Sequence, residues 1–276
     1  MRSPRTCERA RRHVCWAYDD LESFAVESER YLLDGLASGE QVWYVTARPD
    51  DAVSTRLRRL PAFADALARG SAEVVPLAST YTSGGVVTAS AQIAAYADAT
   101  AAALAAGYTG LRVVADATEL VRTPAQLDAF CRYEHRIDRW MHTRPFRAMC
   151  AYDRARLGPA VAELACLHPV ANVEEPQFRL FAVPPGEGHA EVAGEVDADN
   201  RHLFRTALDR ADLHPDDGEL VLRAGDLSFL DHRALVTLDE YARRRGATAV
   251  LRTSRSAVAR LVALLSLSSV RVEVGP

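Results

Sequence analysis

The 276-residue chain contains no lysine, so all 33 of its basic residues are arginine. Without a lysine side chain, the chain cannot form a Schiff base with a cofactor or with a carbonyl substrate. It also cannot supply a lysine general base or the lysine of a phosphate-binding loop. The composition therefore excludes a large part of enzyme chemistry before any motif is considered.

Long apolar runs and paired cysteines are missing as well. No stretch approaches the roughly 20 unbroken apolar residues that span a bilayer, and residues 1–5 are not followed by the apolar segment of a signal peptide. The cysteines contain no C-x-x-C pair, which is atypical of a disulfide framework or a structural zinc site. They are Cys7, Cys15, Cys131, Cys150 and Cys166. We expect a cytoplasmic protein without membrane contact, with reduced and mostly buried thiols.

The net charge of −4 does not favour nucleic acid as a direct partner. Binding to a phosphate backbone needs a concentrated basic face. The arginine clusters at 56–59 and 243–245 could form one, but they are more typical of the solvated sides of amphipathic helices. We expect no direct contact with nucleic acid.

The length and the 49% hydrophobic content suit two domains. Pro169, Glu174 and Pro176 interrupt the helical and strand patterns between residues 168 and 177. We predict a flexible N-terminal arm at 1–12, a first domain at 13–170, a linker at 171–177 and a second domain at 178–276.

The first domain alternates strands and helices, which predicts an α/β fold with a parallel sheet covered on both faces. The predicted strands are 13–18, 41–46, 72–76, 111–115 and 146–152. The predicted helices are 21–37, 51–68, 89–106, 124–142 and 158–167.

Several segments of this first domain resemble the MEDS sensory-domain family. They are HVCWAY at 13–18, GLASGE at 35–40, AGYTGLRV at 106–113, YE at 133–134, CAYDR at 150–154 and HP at 168–169. The run ADATE at 115–119 departs from the family, whose members more often carry a Glu-Met-Thr-Trp-like run. The family is related by fold to recombinase-like P-loop ATPases, so the resemblance implies a three-layer, P-loop-like domain of lapsed recombinase type.

The residues after the first strand argue against ATP hydrolysis. A phosphate loop needs glycines and a lysine there, but the chain has Tyr18-Asp19-Asp20-Leu21-Glu22, whose three carboxylates would repel a triphosphate. Asp116 ends an apolar strand, as a magnesium-holding acid does in active relatives. Without the loop, we interpret it as a relic or a hydrogen-bonding residue.

His13 and Cys15 are two residues apart and therefore lie on one face of a strand. The resemblance implies that they contact a small-molecule or redox ligand, in a sensor site that also includes Tyr18, Asp116 and Glu134. The alternative is a buried thiol beside a satisfied histidine. Cys150, together with Cys166 and His168 near a helix end, could form a His/Cys metal cluster across the strands, but no ligand spacing supports one. We expect no metal and no other cofactor.

The second domain predicts a mixed sheet with helices packed on it. Its strands are predicted at 178–183, 189–196, 220–224, 247–252 and 270–274, and two of its helices at 200–211 and 256–265. Residues 225–235 (GDLSFLDHRAL) read as a polar turn that leads from the central strand into a further helix, with Asp231 at or next to the N-cap.

This second domain resembles the STAS domain of anti-sigma-factor antagonists. In that family the turn usually reads Asp-Ser-Ser/Thr-Gly, and its first serine accepts phosphate from an anti-sigma-factor kinase. His232 stands at that position here. The resemblance implies a docking surface made of Ser228, Asp231, His232 and Arg233, with an anti-sigma factor of the ATP-binding switch-kinase type as partner and no phosphorylation of the usual serine.

Together these features predict a non-enzymatic signalling regulator in which a sensory domain controls a STAS module. One alternative is an enzyme that acts through Cys15, with His13 or His168 as base, and that uses the STAS-like module only for interaction. Another is a sensor that binds a nucleotide without hydrolysing it. The sequence leaves open whether the chain forms a homodimer.

Overall fold

The computed structural model describes residues 12–81, 85–174 and 176–274. The predicted N-terminal arm lies outside these residues except for Arg12. The Arg12 guanidinium donates hydrogen bonds to the carbonyl oxygens of Met141 and His142, at 3.2 and 3.3 Å. Within the described residues, the chain forms two six-stranded sheets.

The first sheet is entirely parallel and has the strand order β3-β2-β4-β5-β1-β6. Its strands are β1 (His13–Tyr18), β2 (Gln41–Thr46), β3 (Ala72–Pro76), β4 (Leu111–Asp116), β5 (Phe146–Asp153) and β6 (Val170–Ala171). The five predicted strands are confirmed. Strand β6 was not predicted, and the Asn172 side chain after it bonds the backbone N–H and C=O of Ala17 at 2.7 and 2.8 Å. The predicted linker at 171–177 therefore begins with residues of this sheet.

Helices cover both faces of the first sheet. They are α1 (Leu21–Ala37), α2 (Ala52–Arg59), α3 (Pro61–Arg69), α4 (Leu77–Thr80), α5 (Ala89–Ala105), α6 (Pro124–Met141), α7 (Arg154–Leu157) and α8 (Ala160–Ala165), with a 3₁₀ turn at Thr118–Leu120. A single helix at 51–68 was wrong because Leu60 is extended before Pro61, which begins a new helix. The helix predicted at 158–167 is confirmed with shorter bounds as α8, and Gly158, with φ +53°, separates it from α7.

Alternate residues of β1 enter two separate apolar cores. Cys15 and Ala17 belong to the core beneath α5, α6 and α8. Tyr18, with Val14 and Trp16 packed beside it, belongs to the core beneath α1, α2 and α3. His13 points to the α6 side, where it is fully buried.

The second sheet is mixed. Its strands are β7 (Phe178–Ala182), β8 (Ala190–Val196), β9 (Glu219–Arg223), β10 (Leu227–Leu230), β11 (Thr248–Thr253) and β12 (Val270–Val274). Their order is β10-β8-β9-β11-β12, and β7 pairs antiparallel with β8. The remaining helices are α9 (Arg201–Ala211), α10 (His232–Arg244) and α11 (Ser256–Leu264). The predicted mixed sheet with helices is confirmed.

The segment predicted as a polar turn at 225–231 is mostly strand. Leu227 and Leu230 are buried, and β10 pairs with β8 after a break in register between Leu227 and Phe229. The bend at Gly225-Asp226 interrupts the pairing with β8 but does not end it, because β9 before the bend and β10 after it both pair with β8. The predicted N-cap is confirmed, since Asp231 accepts a hydrogen bond from the Ala234 N–H at 2.6 Å.

One apolar core continues from α6 into the second sheet. Helix α6 packs against both β7 and α9, so it lies between the two parts of the chain. None of the helices in the described ranges combines the length and the apolar character that a membrane crossing requires.

Candidate functional site

Four polar side chains from four different elements meet in the core between the first sheet and α6. We call His13, Glu134, Cys150 and His168 the His13 cluster; each is at most 5% exposed. His13 Nε2 lies 2.8 Å from Glu134 Oε2 and 3.7 Å from Cys150 Sγ. His168 Nε2 lies 3.6 Å from Glu134 Oε2. All four atoms are within 4.8 Å of one another.

The fold explains why residues so distant in sequence meet here. Strands β1 and β5 are parallel neighbours, with Cys15 in register with Cys150, so His13 and Cys150 face the same side. Helix α6 covers that side. It begins with a capping box in which Thr123 and Gln126 each bond the other's backbone, and this fixes its start.

A neighbouring polar group lies beside the other polar atom of each ring and of the carboxylate in the His13 cluster. Tyr152 Oη donates to Glu134 Oε1 at 2.8 Å. His168 Nδ1 lies 2.9 Å from the Leu164 carbonyl oxygen, and His13 Nδ1 lies 3.4 Å from Asp138 Oδ1. These contacts orient the remaining atoms toward one another.

The electrostatics of the cluster favour one proton on His13. Burial opposes its charged form, but the Glu134 carboxylate and the Asp138 and Cys150 contacts raise the pKa of His13 well above its ordinary value. Burial and the nearby His13 charge lower the pKa of His168 to about 4. Burial alone would raise the pKa of Glu134, yet the charges of His168 and His13 lower it to about 2. The planes of the two rings are tilted by 41° and their centroids are 4.1 Å apart, so a second imidazolium beside His13 is disfavoured.

Two of the predicted sensor residues lie elsewhere. His13 begins β1 and Tyr18 ends it. Tyr18 Oη is 3.4 Å from Asp116 Oδ2, and Thr118 donates its side-chain O–H and its backbone N–H to Asp116 Oδ1. Burial raises the pKa of the Asp116 carboxyl. Tyr18 and Asp116 therefore form a separate pair at the carboxyl end of the sheet.

Cys15 is fully buried on the same face of β1 as His13, as the spacing predicted. Burial and the neighbouring Cys150 thiol raise the pKa of Cys15 well above its ordinary value. Its sulfur is not among the four atoms that converge in the His13 cluster.

The sequence identified four members of the arrangement but not the groups that orient them. His13 and Glu134 were predicted as sensor residues, and Cys150 and His168 only as metal ligands that no spacing supported. Asp138 and Tyr152 were missed. The signal for Asp138 was its position four residues after Glu134, which places both carboxylates on one face of α6.

The elements that carry the His13 cluster also hold β7 of the second sheet. Asp138 Oδ2 accepts a hydrogen bond from the backbone N–H of Ala182 at 2.9 Å. The carbonyl oxygen of Cys166, two residues before His168, accepts one from the Leu180 N–H at 2.6 Å. Asp138 thus contacts both the cluster and the second sheet, and Cys166 contacts the second sheet two residues before His168.

The turn after β1 has no unpaired helix N-terminus for a phosphate. Asp20 caps α1 by accepting from the Ser23 N–H at 2.8 Å, and these hydrogen bonds lower the pKa of Asp20. Asp19 lies 3.1 Å from the Arg154 guanidinium. The carboxylates occupy the place where an anion would approach the helix.

The predicted docking residues lie in β10, which contains Ser228, and at the start of α10, where the others lie. Asp231 Oδ2 accepts from the Arg201 guanidinium at 3.0 Å. Ser228 Oγ donates to the Gly194 carbonyl at 2.8 Å. Ser228, His232 and Arg233 are exposed, and so is Phe229, an apolar side chain that is 50% exposed. The surface therefore combines an aromatic side chain with charged groups.

A cavity of about 590 Å³ lies on the opposite face of β1. Val14, Trp16, Tyr31, Arg112 and Arg147 contribute to its wall. The Trp16 Nε1 and Tyr31 Oη atoms are buried without a hydrogen-bond partner among the described residues. The cavity has room for a small molecule, but it is separated from the His13 cluster by the sheet.

The comparison with protein families agrees with the first sheet and its helices. The model of the MEDS family, described as the MEthanogen/methylotroph, DcmR Sensory domain, matches residues 12–169. No curated protein matches the chain. Because the matched residues make up more than half of the 276, the chain belongs to the MEDS family of sensory domains.

Proposed function

We propose that the chain is a non-enzymatic signalling regulator in which the state of the His13 cluster controls a docking surface on the second domain. The observation that carries this proposal is the pair of hydrogen bonds that Asp138 and Cys166 accept from backbone N–H groups of β7. A sensory role agrees with membership of the MEDS family.

A continuous chain of contacts leads from the cluster to the proposed docking surface. Asp138 contacts His13 through one carboxylate oxygen and β7 through the other. Strand β7 pairs with β8, and β8 pairs with β10 directly before Asp231. A ligand that moves α6 relative to the sheet would therefore alter the strand that supports Asp231. Regulation requires that the ligand binds one arrangement of these elements more tightly than another.

The output we propose is docking to an anti-sigma factor of the ATP-binding switch-kinase type, as in STAS antagonists. The mixed sheet and the strand that leads into a helix capped by Asp231 support this reading. His232 stands where such antagonists carry the phosphorylated serine, so the partner's kinase activity would not release this chain in the usual way. Control would then come from the first domain.

The two alternatives find less support in the described residues. An enzyme that acts through Cys15 needs an accessible thiolate, whereas this thiol is fully buried and its pKa is raised. A nucleotide sensor needs free backbone amides after β1, whereas Asp20 caps that helix. The cavity beside Trp16 could hold a small molecule, but its wall does not include the contacts to β7.

The test is an affinity purification from the native host with three full-length baits. Asp231→Arg places a bulky cation in the docking surface and removes the N-cap. Glu273→Arg makes the same charge reversal on β12, at the opposite edge of the sheet from β10. All three baits are first compared by circular dichroism to confirm that they are folded.

The proposal expects an ATP-binding anti-sigma-type kinase with the wild type and with Glu273→Arg, and its loss with Asp231→Arg. Recovery of the same proteins with all three baits would contradict the proposed docking surface. Recovery of no such kinase with the wild type would contradict the proposed partner.

A further inference from the structure

The His13 cluster offers the donor set of a transition-metal site. Two imidazole nitrogens, one carboxylate oxygen and one thiol sulfur are the ligand types that zinc takes in proteins, usually four at a time. They come from β1, α6, β5 and the turn after α8, and their ligand atoms lie within 4.8 Å of one another. We propose that His13, Glu134, Cys150 and His168 bind one zinc ion.

Two of the distances between ligand atoms are close to those of a tetrahedral site, and all of them are within 4.8 Å. With usual bond lengths of about 2.0 Å for Zn–N and Zn–O and about 2.3 Å for Zn–S, tetrahedral geometry places N and O ligand atoms about 3.3 Å apart, and N and S ligand atoms about 3.5 Å apart. His13 Nε2 lies 3.7 Å from Cys150 Sγ, and His168 Nε2 lies 3.6 Å from Glu134 Oε2. The His13–Glu134 distance of 2.8 Å is shorter, so those two side chains would separate by about half an ångström around an ion.

The surrounding contacts select the atoms that face the ion. Histidines that bind metals commonly donate their other N–H to a carboxylate or a backbone carbonyl. Here Asp138 stands beside His13 Nδ1 and the Leu164 carbonyl beside His168 Nδ1, which leaves both Nε2 atoms for the ion. Tyr152 occupies Glu134 Oε1 and leaves Oε2. The orienting groups that such a site requires are therefore present around three of its ligands.

Two buried atoms at the centre lie within ion-pair distance of neighbours but make no well-formed hydrogen bond, although Glu134 Oε2 is only 2.8 Å from His13 Nε2. Glu134 Oε2 and His168 Nε2 are buried with no hydrogen bond of acceptable geometry among the described residues. Leaving a buried polar atom unpaired costs about 1–3 kcal/mol. An ion bound by both atoms would remove this penalty.

The charges also balance around a divalent ion. Zinc with the Glu134 carboxylate, the Cys150 thiolate and two neutral imidazoles has no net charge, which suits a site closed to solvent. Zinc binds imidazole in its neutral form and cysteine as the thiolate, so binding releases protons from the ligands and depends on pH. Because the ligands come from four elements, the site forms only as the chain folds, and binding is coupled to folding.

Cys15 provides the matched control for Cys150. It lies on the neighbouring strand in register with Cys150 and is equally enclosed, but it is not part of the converging set. The zinc site depends on the proposed function only where it identifies the sensed ligand as a metal ion. Zinc binding itself requires no partner protein.

The test uses the full-length chain. It is unfolded in the presence of a chelator, which removes bound metal, and is then refolded with Co²⁺ as a spectroscopic probe. We expect one Co²⁺ per chain, with the visible bands of tetrahedral cobalt and a sulfur-to-cobalt charge-transfer band, and we expect Zn²⁺ to displace it. Cys150→Ser should lose the charge-transfer band, whereas Cys15→Ser should retain it. Asp138→Asn should keep the band but weaken binding by about 10–100-fold, the usual effect of removing an orienting partner.

Refolded wild type that regains its native circular dichroism but binds neither Co²⁺ nor Zn²⁺ in equilibrium dialysis would overturn the proposal. A band that survives Cys150→Ser or disappears in Cys15→Ser would overturn the ligand assignment. If Cys150→Ser does not fold, Glu134→Gln replaces it, because glutamine keeps the size of the side chain and its contact with Tyr152. We expect Glu134→Gln to lower the affinity for Co²⁺ at least as much as Asp138→Asn does. Unchanged affinity would contradict the site. None of these outcomes depends on the docking partner, so a failed purification of the partner leaves them unaffected.

Discussion

The Asp138 carboxylate accepts a hydrogen bond from the backbone N–H of Ala182 at 2.9 Å, and this bond joins helix α6 of the sensory domain to strand β7 of the second sheet. Its other oxygen faces His13 Nδ1. The carboxylate is almost completely buried, so the bond is shielded from water and charge-assisted. Asp138 is therefore the shortest connection between the His13 cluster and the second sheet.

Removing this carboxylate is expected to destabilise the chain. Asp138→Ala leaves the Ala182 N–H buried without a partner, and we expect the free energy of unfolding to fall by about 1–3 kcal/mol. Asp128→Ala on the same helix removes a half-exposed ion pair and should lower it by about 1 kcal/mol or less. Urea unfolding of both variants measures the difference. Equal losses in the free energy of unfolding would show that the Asp138–Ala182 hydrogen bond contributes no more to stability than the half-exposed ion pair.

The second sheet depends on glycine at one position where β7 approaches β8. Gly194 has φ +85°, and a Cβ there would lie 2.0 Å from the Gln177 carbonyl oxygen. Gly186 has a similar φ of +87° but open space around it. We expect Gly186→Ala to lower the free energy of unfolding by about 1 kcal/mol from backbone strain alone. Gly194→Ala should lower it by at least about 2 kcal/mol more, because the backbone must also move.

Chemical denaturation of the two glycine variants gives this comparison directly. If both lose the same stability, β7 does not lie against β8 as described, and the contact path from Asp138 to Asp231 would lose its middle step.

The Asp116 carboxyl is expected to tolerate neutralisation. Burial raises the pKa of Asp116, because the folded state disfavours the ionised carboxylate. The contribution of Asp116 to the free energy of unfolding therefore falls as the pH rises through the range in which carboxyl groups titrate. Asp116→Asn keeps an oxygen for Thr118 and removes the charge. We expect its free energy of unfolding at pH 7 to equal or exceed that of the wild type, with any advantage shrinking as the pH falls toward 4. A clear loss of stability at pH 7 would instead indicate that the charge has a partner.

The thiols of the described residues should react slowly in the native state. Cys15, Cys131, Cys150 and Cys166 are all buried, and burial raises the pKa of each. Cys7 lies outside the described residues, so the measurement uses Cys7→Ser. We expect iodoacetamide at neutral pH to modify none of the four until the chain is unfolded. Rapid, selective modification of Cys15 would favour the alternative of an enzyme that acts through this thiol.

The sequence predicted the elements well where local patterns determine them. The strand at 13–18 and the helix at 21–37 have the predicted bounds, because alternation and helical spacing are properties of neighbouring residues. The helix at 51–68 was predicted as one because its apolar spacing continues across Leu60-Pro61, where the proline starts a new helix. Strand β10 was missed because Gly225-Asp226 resembles the end of a strand, while Leu227 and Leu230 gain their burial only from β8.

The candidate site could be predicted only in part for a related reason. His13 and Glu134 could be predicted as site residues because they lie in segments that resemble the family, HVCWAY at 13–18 and YE at 133–134. Their contact depends on how α6 lies across the sheet, which no local pattern determines. Asp138 and Tyr152 have roles only through that packing. Asp138 orients His13 and Tyr152 orients Glu134, in each case across elements that are far apart in sequence.

The most direct test of the account is hydrogen exchange at the backbone amides of β7 after a change confined to the His13 cluster. Glu134→Gln removes the charge beside His13 without touching the second sheet. Glu40→Gln is the matched control, because Glu40 is a buried carboxylate of the first domain that pairs with Arg112 at 2.5 Å and has no contact with β7 among the described residues. The account predicts that exchange at Leu180 and Ala182 becomes several-fold faster in Glu134→Gln and stays unchanged in Glu40→Gln. Unchanged exchange at Leu180 and Ala182 in Glu134→Gln, with the effect restricted to the first sheet, would contradict control of the second domain by the His13 cluster.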